Sequence, residues 1–343
     1  MNKSRNQEIN LLKFIAIICV ILIHDKLPGN AGAIIRAMAA MAVPVFFMIS
    51  GYYSYEASGQ VLGKRVKRTF FLMIIANVLY FVWDVWVEIL SGNSLHIWFA
   101  ENCSIKRIAV WVLTNESSLR GHLWFLGALL YAYMFLFLLI KWHELGKLPD
   151  FLWEKKDKWL AMLAGVLILG NIVGGEVLTQ LGRNIQIPYI RNWLFCGIPF
   201  LLIGYCLCGY LRKNEIKSSG FKLGIGLLAV LVLNLVEVIF MEASELYLTT
   251  VLVAILSFVL AVRGEGKVRN KLLIKAGNIA DKYGLWIYIL QIMVIKTIQW
   301  FESEMGWTDN LTAQCLSPVL SFILTVLVAI IPVWLSDLRK RRK

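Results

Sequence analysis

Long apolar runs separated by short polar segments dominate this chain. Ten windows are long enough for a helix to cross about 30 Å of hydrocarbon. They lie at 8–25, 33–53, 69–90, 122–140, 159–175, 192–211, 222–241, 246–262, 283–300 and 317–335. The runs are continuous and do not alternate with the two-residue period of a barrel strand. The pattern therefore predicts an all-α, polytopic helical membrane protein with about ten transmembrane helices.

The basic residues fall on alternate sides of these windows. Of the 35 Lys and Arg residues, 26 lie in alternate polar segments. These are the N-terminus and residues 64–68, 141–158, 212–222, 263–282 and 339–343. Cytoplasmic loops of membrane proteins are enriched in Lys and Arg. We therefore expect both termini in the cytoplasm and an even number of spans.

Composition agrees with a membrane protein that has no separate soluble domain. Of the 343 residues, 59% are hydrophobic and only 17% are charged, and the mean hydropathy is +0.67. The short polar segments leave no room for a globular domain, so we expect a single transmembrane domain over 1–343. The net charge of +13 is explained by the loop asymmetry. It favours contact with the lipid bilayer and argues against nucleic acid.

Ionisable residues lie within the first two apolar runs. Lys13 and His24 are eleven positions apart, so they share one face of a helix with Cα atoms about 16 Å apart. A histidine side chain can take up a proton near neutral pH, which is what a general base for a hydroxyl acceptor needs, so His24 is a candidate for that role. The planar guanidinium of Arg36 is suited to bind the carbonyl or carboxylate of a substrate. Asp25 is expected to face away from His24, because successive helical positions diverge by about 100°.

Each of these residues also has an ordinary structural interpretation. Lys13 is near enough to the predicted cytoplasmic end to reach the interface with its long side chain. His24 and Arg36 both fit interfacial anchors. Intramembrane ionisable groups are nevertheless functional hypotheses by default.

Other candidates lie farther along the chain. Arg65 and Arg68 belong to a basic cluster ahead of the third window, which suits either lipid head groups or the phosphates of a cytosolic donor. Trp124 opens the fourth window, where an aromatic side chain commonly anchors a helix at the interface. Asp84 and Glu237 lie within apolar windows and are expected to face a polar cavity or a partner helix.

The common soluble-enzyme motifs are absent from the sequence. There is no GxSxG, no Walker-type loop and no HExxH. The six cysteines form no CxxC pair, and no histidine lies at metal-ligand spacing from them. We expect no metal site and no bound cofactor.

Four short motifs follow one another in an order typical of one enzyme family. They are Lys13 followed after ten positions by His24, VPVFFMISGYY at 43–53, Arg65-x-x-Arg68, and LWFLGALLYAY at 123–133. With these motifs and its ten-span plan, the chain resembles the integral-membrane acyltransferase 3 family of bacterial acyl-CoA-dependent O-acyltransferases. Two positions depart from the family pattern. Asn10 replaces a frequent aspartate, and Gln291 replaces a frequent histidine in the ninth span.

The resemblance implies a function. It implies an acyltransferase of the bacterial plasma membrane that moves an acyl group, most simply acetyl, from cytosolic acyl-CoA to a carbohydrate or lipid-linked sugar of the cell envelope. His24 would be the catalytic base or acyl relay. Lys13, Arg65 and Arg68 would help to place acyl-CoA, while Arg36 and Trp124 are further candidates for substrate or donor binding.

A transporter is the alternative. The same resemblance extends to the membrane half of vancomycin-resistance serine racemases, which is associated with amino-acid uptake. In that case the protein carries a small polar solute such as an amino acid, with Arg36, Asp84 or Glu237 in the pathway.

Overall fold

Helices joined by turns and short loops make up the part of the chain that the computed structural model describes. That part comprises residues 6–117, 119–183, 185–214, 220–264 and 266–341, with side chains up to 338, and it contains no strand. Its α-helices are α1 Gln7–His24, α2 Gly29–Ala39, α3 Ala42–Tyr52, α4 Gly59–Leu90, α5 Leu95–Asn102, α6 Ile105–Thr114, α7 Trp124–Glu144, α8 Asp150–Glu154, α9 Lys156–Ile172, α10 Leu178–Gln180, α11 Ile187–Ile190, α12 Ile198–Lys213, α13 Gly220–Phe240, α14 Leu248–Arg263, α15 Lys271–Glu304 and α16 Leu311–Arg341. A 3₁₀ turn (Gly121–Leu123) precedes α7, and two π-helical turns (Val173–Val177 and Trp193–Gly197) adjoin α9 and α12.

Nine helical stretches of the described chain are long and apolar enough to cross a membrane. They are Gln7–His24, Gly29–Tyr52, Gly59–Leu90, Gly121–Glu144, Lys156–Gln180, Trp193–Lys213, Gly220–Phe240, Lys271–Glu304 and Leu311–Leu338. Each overlaps one predicted window. The remaining window, 246–262, corresponds to α14, which has 16 residues. The prediction of an all-α, polytopic membrane protein is confirmed.

Two helix boundaries differ from the sequence pattern. The window 33–53 forms two helices, α2 and α3, with a turn at residues 40 and 41. Pro44 lies in the first turn of α3, where its missing N–H costs no hydrogen bond. The third span begins at Gly59 instead of 69, because Ser58 caps α4 by accepting a hydrogen bond from the Val61 N–H at 3.4 Å. Arg65 and Arg68 are therefore helical.

The chain divides into two compact units, which are described separately. The first unit comprises Met1–Phe46 and Lys217–Lys343, and the second comprises Phe47–Ile216. In the first unit, α1 packs along α15. In the second, buried residues of α7, α9 and α12 form an apolar core that includes Leu136, Leu160 and Leu201.

Small residues on α15 let α1 approach closely. A Cβ atom on Gly277 would lie 3.1 Å from the Asn10 Cβ, and one on Gly284 would lie 3.1 Å from the Ile17 Cδ1. Both helices advance by seven residues from the first contact to the second. Therefore α1 and α15 run in the same direction, with the seven-residue repeat typical of closely packed helices.

Candidate functional site

A polar cavity of about 360 Å³ lies at the end of α1 in the first unit. Residues from the end of α1, the last turns of α15 and the first turns of α16 line it: His24, Asp25, Lys26, Gln299, Glu302, Gln314 and Ser317. His24 is partly exposed. The amides and the hydroxyl can bind sugar-like hydroxyl groups, and the imidazole can exchange a proton with them.

Asp25 fastens the end of α1 to α16. It caps α1 with an extended backbone, and its N–H donates to the Ile21 carbonyl at 2.7 Å. Its buried carboxylate accepts hydrogen bonds from the hydroxyls of Ser317, at 3.0 Å, and of Ser321. Since Asp25 has left the helical conformation, the divergence of helical positions does not set its direction. Its contacts with α16 hold the neighbouring His24 at the cavity.

Lys13 forms an ion pair between α1 and α15. Its Nζ donates to the Asp281 carboxylate at 3.1 Å and to the Asn10 Oδ1 at 3.2 Å. About a fifth of each ion-paired side chain is exposed, 19% for Lys13 and 21% for Asp281. Lys13 thus has a carboxylate partner within its own unit, eleven residues before His24 on the same helix.

Arg36 lies in the last turn of α2 and is exposed. The sequence placed it near the start of a helix, but α2 begins at Gly29 and ends at Ala39. Arg36 belongs to the first unit, with Lys13 and His24, and it does not line the cavity around His24.

Arg65 and Arg68 lie on α4 in the second unit and have different surroundings. Arg65 donates to the Ser54 hydroxyl at 2.6 Å and to the Tyr53 carbonyl at 2.8 Å. Its guanidinium also lies 5.9 Å from the centre of the Tyr133 ring. These acceptors are uncharged, so the bonds orient Arg65 without neutralising it. Arg68 is exposed.

Trp124 is buried where α7 begins, although the sequence suggested an interfacial anchor. Only 6% of the residue is exposed. Its ring lies 6.2 Å from that of Phe47, and the Arg191 guanidinium lies 5.4 Å from its centre. Its carbonyl accepts a hydrogen bond from the Asn115 Nδ2 at 2.9 Å. These contacts place Trp124 within the packing of the second unit.

The two acids identified within apolar windows have partners. Asp84 is ion-paired with Arg120, which precedes α7. Glu237 accepts hydrogen bonds from the Thr249 N–H, at 3.1 Å, and from the Thr249 hydroxyl. Glu237 therefore joins α13 to α14, in agreement with the expected partner helix.

Sequence reasoning missed a further buried acid and most of the cavity. Glu176 is 6% exposed in the first π-helical turn. Its position in the apolar segment NIVGGEVL was the available signal. The cavity residues on α15 and α16 carried no such signal, because Glu302 and Gln314 lie in a polar segment that reads as an ordinary loop.

Comparison with known proteins gives one match. A family model described as an acyltransferase domain matches residues 6–337, nearly the whole chain. No curated protein and no solved structure matches the chain at a significant level.

Proposed function

The chain belongs to the acyltransferase 3 family, and we propose that this membrane acyltransferase moves an acetyl group from cytosolic acyl-CoA to a hydroxyl of a cell-envelope glycan or lipid-linked sugar. The observation that carries the proposal is the position of His24 at a cavity lined by amide, hydroxyl and carboxylate groups. Such groups bind the hydroxyls of a carbohydrate. The proposed location is the bacterial plasma membrane, with both termini in the cytoplasm, as the distribution of Lys and Arg favours.

His24 is the proposed general base. It takes the proton from the acceptor hydroxyl as the oxygen attacks the thioester carbonyl carbon. The carbonyl π electrons move to oxygen and give a tetrahedral oxyanion. The C–S bond then breaks, and the leaving CoA sulfur takes the proton from His24. Asp25, fastened to α16, keeps His24 in position and so acts as a positioning residue.

Arg65 is the proposed donor-binding residue with the strongest support. Its bonds to Ser54 and Tyr53 fix the side chain but leave its charge available to a phosphate of acyl-CoA. Arg68 adds an exposed positive charge on the same helix. Lys13 is also proposed to help place the donor. Its ion pair with Asp281 would compete with the phosphates of acyl-CoA for the same ammonium group.

Replacement of His24 tests the proposed chemistry. The full chain is purified, incorporated into nanodiscs of bacterial polar lipids and supplied with ¹⁴C-acetyl-CoA. The acceptors are undecaprenyl-linked sugars and envelope glycans extracted from bacteria. We expect alkali-labile label in the sugar fraction, with equimolar CoA release, and a loss of at least about a thousandfold in His24→Ala, within the range of single catalytic groups.

The matched control is His96→Ala, because His96 is an exposed histidine of α5 in the second unit. Its turnover should equal that of the wild type. Unchanged turnover in folded His24→Ala would overturn the proposed role of His24. Failure of the wild type to transfer label, together with amino-acid flux into liposomes without acetyl-CoA, would favour the transporter.

A further inference from the structure

Gln291 is a buried amide that the proposed chemistry has not used. It lies in the middle of α15 with only 1% of the residue exposed. Its Nε2 has no hydrogen-bond partner among the described residues. A buried donor without an acceptor loses its bonds to water and gains none in return, so an amide held this way is costly. Such a group is suited to an acceptor that arrives with a ligand.

The packing of α1 on α15 indicates where this amide lies. Gly277 meets Asn10, and Gly284 meets Ile17 seven residues later on both helices. Lys13 and Asp281 pair in nearly the same register. Another step of seven on each helix leads from Gly284 to Gln291 and from Ile17 to His24. Side chains separated by seven positions share a helix face, so Gln291 points toward α1 at the level of His24.

The cavity extends beyond this level. Gln299 and Glu302, about two and three turns farther along α15 than Gln291, line it together with His24. Glu302 is eleven positions from Gln291 and therefore on nearly the same face of α15. Gln291 therefore lies about two turns before Gln299 on α15, on the buried side of the cavity, and does not itself line it.

We infer that the Gln291 Nε2–H donates a hydrogen bond to the carbonyl oxygen of the acyl group that is transferred. This inference rests on the proposed function. As the acceptor oxygen forms its bond to the carbonyl carbon, the displaced π electrons become a full negative charge on that oxygen. An amide N–H already in place stabilises this charge without reorganisation, in a site that excludes water. His24 holds the acceptor proton until the departing thiolate takes it.

The test replaces Gln291 with a side chain of similar size that cannot donate. Gln291→Met keeps most of the volume and removes the unpartnered amide, so it should fold with a melting temperature at or above that of the wild type. We expect kcat for ¹⁴C-acetyl transfer to fall by roughly a hundredfold to a thousandfold, as when an oxyanion donor is removed, with KM for acetyl-CoA nearly unchanged. Gln291→His retains a donor and should recover part of kcat below the pKa of the new imidazole.

Ile295→Met is the matched control, since Ile295 is buried one turn farther along α15. It should transfer acetyl groups at nearly the wild-type rate. A purely structural role for Gln291 would lower stability and leave kcat per folded molecule unchanged. That result would overturn the inference.

A spectroscopic measurement tests the hydrogen bond itself. Acetyl-CoA labelled with ¹³C at the carbonyl is bound to His24→Ala, in which transfer is blocked. The carbonyl stretching frequency should be lower in this protein than in the double variant with Gln291→Met. Equal frequencies would overturn the inference. Failure of the wild type to transfer acetyl groups would instead overturn the proposed function, so the two failures are distinguishable.

Discussion

Two basic residues that the sequence assigned to the same task have different surroundings in the two units. In the first unit, Lys13 binds the Asp281 carboxylate and the Asn10 amide oxygen. In the second unit, Arg65 binds a hydroxyl and a backbone carbonyl. A carboxylate neutralises its partner, whereas neutral acceptors only orient it. Lys13 therefore joins two helices through its ion pair, whereas Arg65 is held in one orientation and keeps its charge.

Between these two basic residues, the larger expected effect follows from removing the oriented charge of Arg65. Arg65→Ala should raise KM for acetyl-CoA by about tenfold to a hundredfold, because a hydrogen bond to a charged group contributes about 1.5–3 kcal/mol. Arg65→Lys should recover only part of this, since an ammonium cannot reproduce the planar fork of donors. Initial rates over a range of acetyl-CoA concentrations measure both.

Lys64→Ala is the control for Arg65. Lys64 is the preceding, exposed residue of α4, and its removal should change KM by less than about twofold. If Arg65→Ala left KM unchanged while Lys13→Ala raised it tenfold, the comparison would be reversed.

The next effect concerns stability. Lys13→Ala or Asp281→Ala alone should lower the free energy of unfolding by about 1–3 kcal/mol, below the value for a fully buried pair because a fifth of each side chain is exposed. The double variant should lose less than the sum of the single losses, with a coupling of about 0.5–3 kcal/mol. Unfolding in mixed detergent micelles completes this double-mutant cycle.

A coupling near zero would mean that Lys13 and Asp281 do not stabilise each other. Lys13 would then be free to act on the donor, and the two basic residues would be alike after all. Asn10→Asp adds a negative charge beside Lys13. It should strengthen the hydrogen bond that the Lys13 Nζ donates to residue 10.

The smallest effect is expected for Arg68, which is exposed on α4. Arg68→Ala should raise KM for acetyl-CoA by about twofold to fivefold at low salt, and the difference should vanish near 1 M salt, where exposed charges are screened. Measuring KM at both ionic strengths distinguishes the contribution of Arg68 from that of Arg65, whose directional hydrogen bonds should depend less on salt. An equal salt dependence for both residues would erase the distinction.

The helices could be predicted because each apolar run is long enough to determine its own structure. All ten windows correspond to helices, including α14. The early start of α4 at Gly59 depended on the Ser58 cap, which hydropathy does not register, and hydropathy likewise did not mark the turn before Pro44. His24 could be singled out because a titratable group within an apolar run is unusual.

The surroundings of His24 could not be predicted in the same way. Asp25 meets Ser317 and Ser321 across nearly three hundred residues of sequence, and only folding brings them together. The register in which Gly277 and Gly284 of α15 pack against α1 is likewise set by the folded structure. In the sequence, Gln291 was visible only as a departure from a family pattern. The structure adds that its side chain is buried with an amide donor that has no partner among the described residues.

The shared direction of α1 and α15 also determines whether the number of membrane crossings between them is odd or even. Two helices that cross a bilayer in the same direction must be separated by an odd number of crossings. Six of the long apolar stretches in the described chain lie between them, which is an even number. If each of these six stretches crosses the bilayer, the short helix α14 supplies the seventh crossing. Its 16 residues rise only about 24 Å, against about 30 Å of hydrocarbon, so such a crossing requires a locally thinner bilayer, flanking side chains that reach the interface, or association with another chain.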